Sequence, residues 1–179
     1  MKTIFFSFLL IFCVVNVTAQ NNYYTESKTF QENGYTYQCE VSHGFLIKIY
    51  NKESRLIHVD QIFKDTKEVP GFELDFDDVV EETWTKPKSF SIVNNAFTTI
   101  QKQQMRDECI GITMYINSET GKVMEVLFTF TTVSPFATIP ISVYSKIEKD
   151  LRKQIWFIPT KDGKRLNYLL RGWDHCFNE

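Results

Sequence analysis

Two runs of alternating apolar residues, Ile110, Ile112, Met114, Ile116 and then Met124, Val126, Phe128, Phe130, constrain the fold more than any other feature of this chain. A period of two puts each set on one face of a strand, so both runs predict half-buried β-strands. Between them, Asn117-Ser118-Glu119-Thr120-Gly121 ends in glycine, where a hairpin loop of this length takes positive φ. An antiparallel hairpin over 110–130 follows. A lone hairpin is barely stable in water, so its buried face needs cover from the rest of the chain.

The segment after Pro140 supplies that cover. Val143, Ile147 and Leu151 recur every four residues, Tyr144 and Ile155 widen the stripe, and Glu148 and Arg152 form an i,i+4 pair. A helix to about Gln154 is predicted, with Pro140 as its first residue. Ile155 to Ile158 is β-prone, Pro159 to Lys164 reads as a turn, and Leu166 to Trp173 as a closing strand. Upstream, Tyr35, Tyr37, Cys39 and Val41 alternate with polar residues, and Phe45 to Tyr50 and Leu56 to Ile62 follow after short breaks. Those breaks are too short for the crossover that parallel strands need, so an antiparallel meander is predicted. Asn95 to Glu108, with Phe97, Ile100 and Met105 as a thin apolar stripe, predicts the other helix. Lys86-Pro87-Lys88 reads as a linker and gives a candidate sub-boundary near 86–91. The expected class is α+β: an antiparallel sheet built from an N-terminal meander and a C-terminal hairpin–helix–strand unit, with about two helices, the second lying across the hairpin.

The amino terminus sets an expected address. Met1-Lys2 is a short basic start, Ile4 to Val15 is apolar, and Val17-Thr18-Ala19 is a small-residue cleavage site. This predicts a signal peptide over 1–19 and a mature single domain over 20–179, exported to the periplasm or beyond. The apolar run is too short to span a bilayer, and no second stretch of spanning length follows, so no membrane span is expected after cleavage. Phe12 before Cys13 lacks the small residue that lipoprotein processing wants. Losing Lys2 leaves 19 basic against 22 acidic residues, a formal charge of −3, which argues against a nucleic-acid partner. Cys39, Cys109 and Cys176 remain, an odd number that permits at most one internal disulfide.

The chemistry-bearing residues form no recognised motif. Six carboxylates lie between Glu73 and Glu82, with Glu73, Asp75 and Asp77 at alternate positions, but Asp75 and Asp77 are followed by Val79 and Val80, where a calcium loop needs an oxygen ligand and then a glycine. The stretch reads as a solvated acidic face. Cys39, His43, His58, Cys109, His175 and Cys176 lack the spacing of a compact zinc motif, and Cys39 reads as a core or disulfide residue. Asp174-His175-Cys176 holds the residue types of a thiol nucleophile, yet neighbours on a strand point apart, and a frayed terminus is the expectation. Residues 145–172 carry a local +5 and residues 60–82 a local −7, which predicts attraction within the molecule. The same basic helix face is also able to meet an acidic surface or envelope polymer. No catalytic, cofactor or metal residue is assigned. The expected function is a non-catalytic interaction module of the envelope, its partner an envelope protein or polymer. The alternative is a glycan- or wall-directed hydrolase using the carboxylates of 73–82.

Gly121-Lys122-Val123 with Glu125-Val126, and Phe157-Ile158-Pro159 with Asp162-Gly163-Lys164, resemble segments of the carboxy-terminal domain of TonB-type proteins. The resemblance covers about residues 95–173 and implies a hairpin–helix–strand order. It does not imply energy transduction, because the uncleaved anchor and proline-rich spacer of that family have no counterpart here. In signal, size and composition the whole chain is similar to small exported proteins of unknown function from Bacteroides-type bacteria.

Overall fold

Strand pairing begins before the first predicted strand. β1 (Lys28–Glu32) and β2 (Tyr35–Ser42) are joined by Asn33 at φ 51° and Gly34 at φ 82°, a two-residue turn whose positive dihedrals match the twist of the strands it links. His43 and Gly44, also at positive φ, turn the chain into β3 (Leu46–Asn51). The computed structural model describes residues 22–71, 75–81 and 84–177. The expected signal segment 1–19, Glu73 and Glu82 lie outside the described residues, as does the side chain of Asp77.

The N-terminal meander is therefore β1-β2-β3, and Leu56 to Ile62, expected as its third strand, is not a strand. Leu56–His58 is a single 3-10 turn. The reason is a long-range contact: the Glu125 carboxylate accepts the backbone N–H groups of Arg55 at 2.8 Å and Leu56 at 2.9 Å, curling the chain at the point where a strand would have to extend. The segment then crosses the outer face of the sheet, held by Asn167, which accepts from the Ile62 N–H, and by the Tyr168 hydroxyl, which donates to the Val59 carbonyl.

After α1 (Phe76–Val79) and β4 (Val80–Glu81) come α2 (Thr85–Ala96) and α3 (Thr99–Gln104). Lys86-Pro87-Lys88, expected as a linker, lies in the first turn of α2, where proline has no intrahelical N–H bond to forfeit. Thr85, Ser89, Ile92 and Val93 recur at helical spacing and are buried. The predicted helix over 95–108 is instead the end of α2 and all of α3. They are separated because Thr98 caps α3, its hydroxyl accepting from the Gln101 N–H while Gln101 reaches back to Thr98.

β5 (Cys109–Ile116) and β6 (Val123–Thr131) form the predicted hairpin, with a register shift at Tyr115/Ile116. α4 (Ile141–Gln154) follows, with Pro140 at its N-cap, one position earlier than expected. β7 (Ile158–Pro159) pairs with β4, and β8 (Leu169–Cys176) pairs with β5. The main sheet runs β1-β2-β3-β6-β5-β8, antiparallel throughout. Ile47, Ile49, Ile112, Met114, Val126 and Phe128 are buried on one face, against Tyr144, Ile147 and Leu151 of α4. The expected α+β class holds, and so does the hairpin–helix–strand order with the helix across the hairpin.

β8 runs three residues past the expected strand, so Asp174-His175-Cys176 is not frayed. Cys176 is bonded to Cys109, its register partner on β5. His175 is buried between α2 and β8, where Asn94 Oδ1 lies 3.2 Å from its Nε2 and the Phe90 and Phe177 rings flank it.

Candidate binding site

Of the residues singled out for chemistry, Cys109 and Cys176 meet in a disulfide and the others do not converge. Cys39 is buried, and burial pushes its thiol up to about 11. His43 is exposed in the β2–β3 turn, His58 stands edge-on to the Tyr50 ring, and His175 is in the α2–β8 interface. Among the described residues no group of three or more His, Cys, Asp and Glu side chains is placed to hold a metal ion. Asp75 and Asp78 are exposed, and Asp78 accepts the Asp75 backbone N–H at 3.1 Å. Cys176 is held in a disulfide and so cannot pair with His175 as a nucleophile. Burial, with Lys102 as a lesser cause, lowers His175 from 6.5 to about 4, so it is neutral at physiological pH.

One buried carboxylate is perturbed in the other direction. Glu148, on the inward face of α4, accepts the Tyr37 hydroxyl at 2.7 Å on one oxygen and Arg152 Nη1 at 3.2 Å on the other. Burial raises its pKa, and Tyr37, Arg152 and Asn51 oppose the rise. The bonds tie α4 to β2 and fix where the last turn of the helix stands.

That last turn brings cations together. Lys149, Arg152 and Lys153 occupy i, i+3 and i+4, so they share a face of α4, at the helix end whose dipole favours positive charge. They line a hollow of about 320 Å³ with Tyr35 at the start of β2 and Lys122 and Val123 at the end of the hairpin loop. The Lys149 ammonium lies 5.0 Å from the centre of the Tyr35 ring. Among the described residues no acidic side chain lines the hollow. Four cations in a chain whose formal charge is −2 are a local concentration, not an overall bias. The expected attraction between the basic and acidic segments is met elsewhere, by Arg165 on Asp65 at 3.0 Å.

Lys122 owes its place to Gly121. At φ +70°, Gly121 lies so close to the next segment that a Cβ would stand 1.8 Å from the Phe157 carbonyl oxygen. The Phe157 N–H donates to the Gly121 carbonyl at 2.8 Å, and Lys122 pairs with Trp156 in an antiparallel bridge. Bridge partners carry their side chains on the same side, so Lys122 and Trp156 project from one side of this bridge. Trp156 is 53% exposed and Ile158, two residues on and on the same side, is 55% exposed. Trp84 meets Trp156 edge-on at 4.5 Å. The basic face of α4 was visible in sequence, whereas Tyr35, Lys122 and Trp156 were not linked to it, because their proximity comes from the Gly121–Phe157 contact and the β1–β2 turn.

Elsewhere, Thr113, Thr129 and Asp174 surround Gly111 and Gly172 on the open face of the sheet in a shallow hollow of about 330 Å³. Among the described residues no helix is long and apolar enough to cross a membrane.

A family model described as a domain of unknown function (DUF5043) matches residues 20–173. The crystal structure of a DUF5043 family protein from Bacteroides uniformis ATCC 8492 is 36% identical, covers 86% of this chain and 86% of its own, and superposes with a TM-score of 0.82. No curated protein matches. The likeness to Bacteroides-type proteins of unknown function thus extends to both sequence and fold, and the chain belongs to the DUF5043 family.

Proposed function

We propose that this chain is an exported, non-catalytic binding module of the cell envelope, cleaved after Ala19. The observation that carries the reading is the hollow in which three lysines, Arg152 and Tyr35 converge, with the exposed Trp156 as the bridge partner of Lys122. Cationic and aromatic groups from three separate elements present charge and a flat apolar surface together, which is the chemistry of recognition. Three of the groups that could do covalent or acid–base work are engaged in the fold: Glu148 with Tyr37 and Arg152, Glu125 with two backbone N–H groups, Cys176 with Cys109. Export is supported by that disulfide, which belongs to an oxidising compartment, and by a family match that starts at Gln20. The TonB-type likeness is read as a shared hairpin–helix–strand order, without the anchor that transduction would need.

The test places a photo-crosslinking residue at Lys149 in the chain expressed in its host, with a second at Val133 as a control. A chain of mature mass beginning at Gln20 is expected in the envelope fraction, crosslinked to an envelope component from position 149 and not from 133. An uncleaved cytosolic chain, or hydrolysis of envelope glycans that depends on Asp75 and Asp77, overturns the proposal.

A further inference from the structure

We propose that the hollow between Tyr35, Lys122, Lys149, Arg152 and Lys153, together with Trp156, the bridge partner of Lys122, binds an anionic polysaccharide. The inference rests on the binding-module reading and names the class of its ligand.

Three features narrow the class. The first is charge without compensation. Among the described residues Arg152 has an acidic partner in Glu148, whereas Lys122, Lys149 and Lys153 form no ion pair, and none of the lining side chains is acidic. Lysine ammonium groups set around a concave surface suit oxyanions, which they meet as point charges from several directions. The second is the kind of cation. Protein–protein interfaces are depleted in lysine at their centres, so a hollow whose cations are mostly lysine is a poor seat for a folded protein partner. The third is the pairing of charge with rings. Tyr35, 36% exposed, lies under the Lys149 ammonium, and Trp156 stands on the same side as Lys122. A sugar ring offers an apolar C–H face that packs on an aromatic ring, while its carboxylate or sulfate reaches the neighbouring ammonium. At about 320 Å³ the hollow lies near the lower end of small-molecule sites, which suits one or two sugar units of a longer chain rather than an enclosed ligand.

Lys149, Lys153 and Lys122 each reach the hollow from an exposed or half-exposed position, so they can be neutralised without opening the core. The buried partner Glu148 and its bond to Arg152 remain in place in such variants. Carboxylate and sulfate are the two sources of the same anionic chemistry, and separate probes distinguish them.

The experiment measures binding of the host-processed chain to polygalacturonate, a carboxylated glycan, to heparin, a sulfated one, and to neutral dextran, at two salt concentrations. Binding to at least one anionic probe, none to dextran, and a fall in affinity with salt are expected. Lys149→Gln with Lys153→Gln weakens that binding tenfold or more. Lys52→Gln with Lys67→Gln, the same charge change elsewhere on the surface, leaves it within twofold. Trp156→Ala weakens binding while keeping the salt dependence. The proposal is overturned if neither anionic probe binds, if dextran binds equally, or if the control pair weakens binding as much as the test pair. If the glycans fail while the crosslink from position 149 persists on an acidic envelope protein, the ligand class is wrong and the binding-module reading stands. If both fail, both readings fall.

Discussion

Replacing Gly121 with alanine tests how the site is held together. The new Cβ would stand 1.8 Å from the Phe157 carbonyl oxygen and 2.7 Å from its carbon, so the hairpin loop and the Trp156 segment must separate. Separation loses the Phe157 N–H bond to the Gly121 carbonyl, at 2.8 Å, and strains the Gly121 N–H bond to the Asn117 carbonyl, also at 2.8 Å. Each is worth about 1 kcal/mol net. The left-handed backbone adds roughly 1 kcal/mol for a residue with a side chain, and the overlap adds roughly 1 to 2 kcal/mol of strain. The expected loss is therefore about 3 to 5 kcal/mol, which for a domain of this size lowers Tm by roughly 10 °C. Gly34→Ala is the matched control: its φ is +82°, but nothing lies within 4 Å of the added Cβ, so only the backbone cost of about 1 kcal/mol applies. Thermal melts followed by circular dichroism compare the two, and tryptophan fluorescence of the Trp84→Phe, Trp173→Phe background reports on Trp156. Equal melting shifts for the two variants would refute the claim that the Gly121–Phe157 contact fastens the site.

Other consequences follow from single residues. His175 is held neutral in the fold, so the stability this gives is present above pH 6.5 and lost as pH falls from 6.5 toward 4; His175→Gln removes that slope in urea melts at a series of pH values, and an unchanged slope refutes the assignment. Glu148 has the opposite sign. Its raised pKa favours folding in the protonated form below 4.5, a gain lost as pH rises through the folded-state value, so the stability of the wild type relative to Glu148→Gln falls as pH rises above 4.5. Replacing Cys109 and Cys176 with serine opens a closure of 67 residues and costs about 4 kcal/mol on the chain-entropy view, read as a lower denaturant midpoint. Glu125→Ala strands the Arg55 and Leu56 N–H groups, costs about 2 kcal/mol, and makes 55–71 the first segment cut in limited proteolysis.

Sequence reading served best where one period dominated. The 110–130 hairpin and the helix after Pro140 were legible because their apolar spacing answers to a single burial direction. Leu56 to Ile62 failed as a strand because Glu125, about 70 positions away, captures its backbone. β1 was missed although Asn33-Gly34 is a strong hairpin signal, since Lys28 to Glu32 alternates between half-buried and exposed and shows little hydrophobic contrast. Pro87 suggested a break where it lies inside the first turn of a helix. The site was half legible: Lys149, Arg152 and Lys153 announce a basic helix face, but nothing local says that Gly121 will bring Lys122 and Trp156 to it. The pairing of Cys109 with Cys176 is fixed by the β5–β8 register, which spacing alone does not give.

The most direct test of the account maps the anionic ligand on the protein by heteronuclear NMR. Titration with short uronate or sulfated oligosaccharides should shift the signals of Tyr35, Lys122, Lys149, Lys153 and the Trp156 indole N–H, and leave Thr113, Thr129 and Asp174 on the open sheet face unmoved. Shifts centred on Gly111 and Gly172, or spread evenly over every exposed lysine, would contradict it.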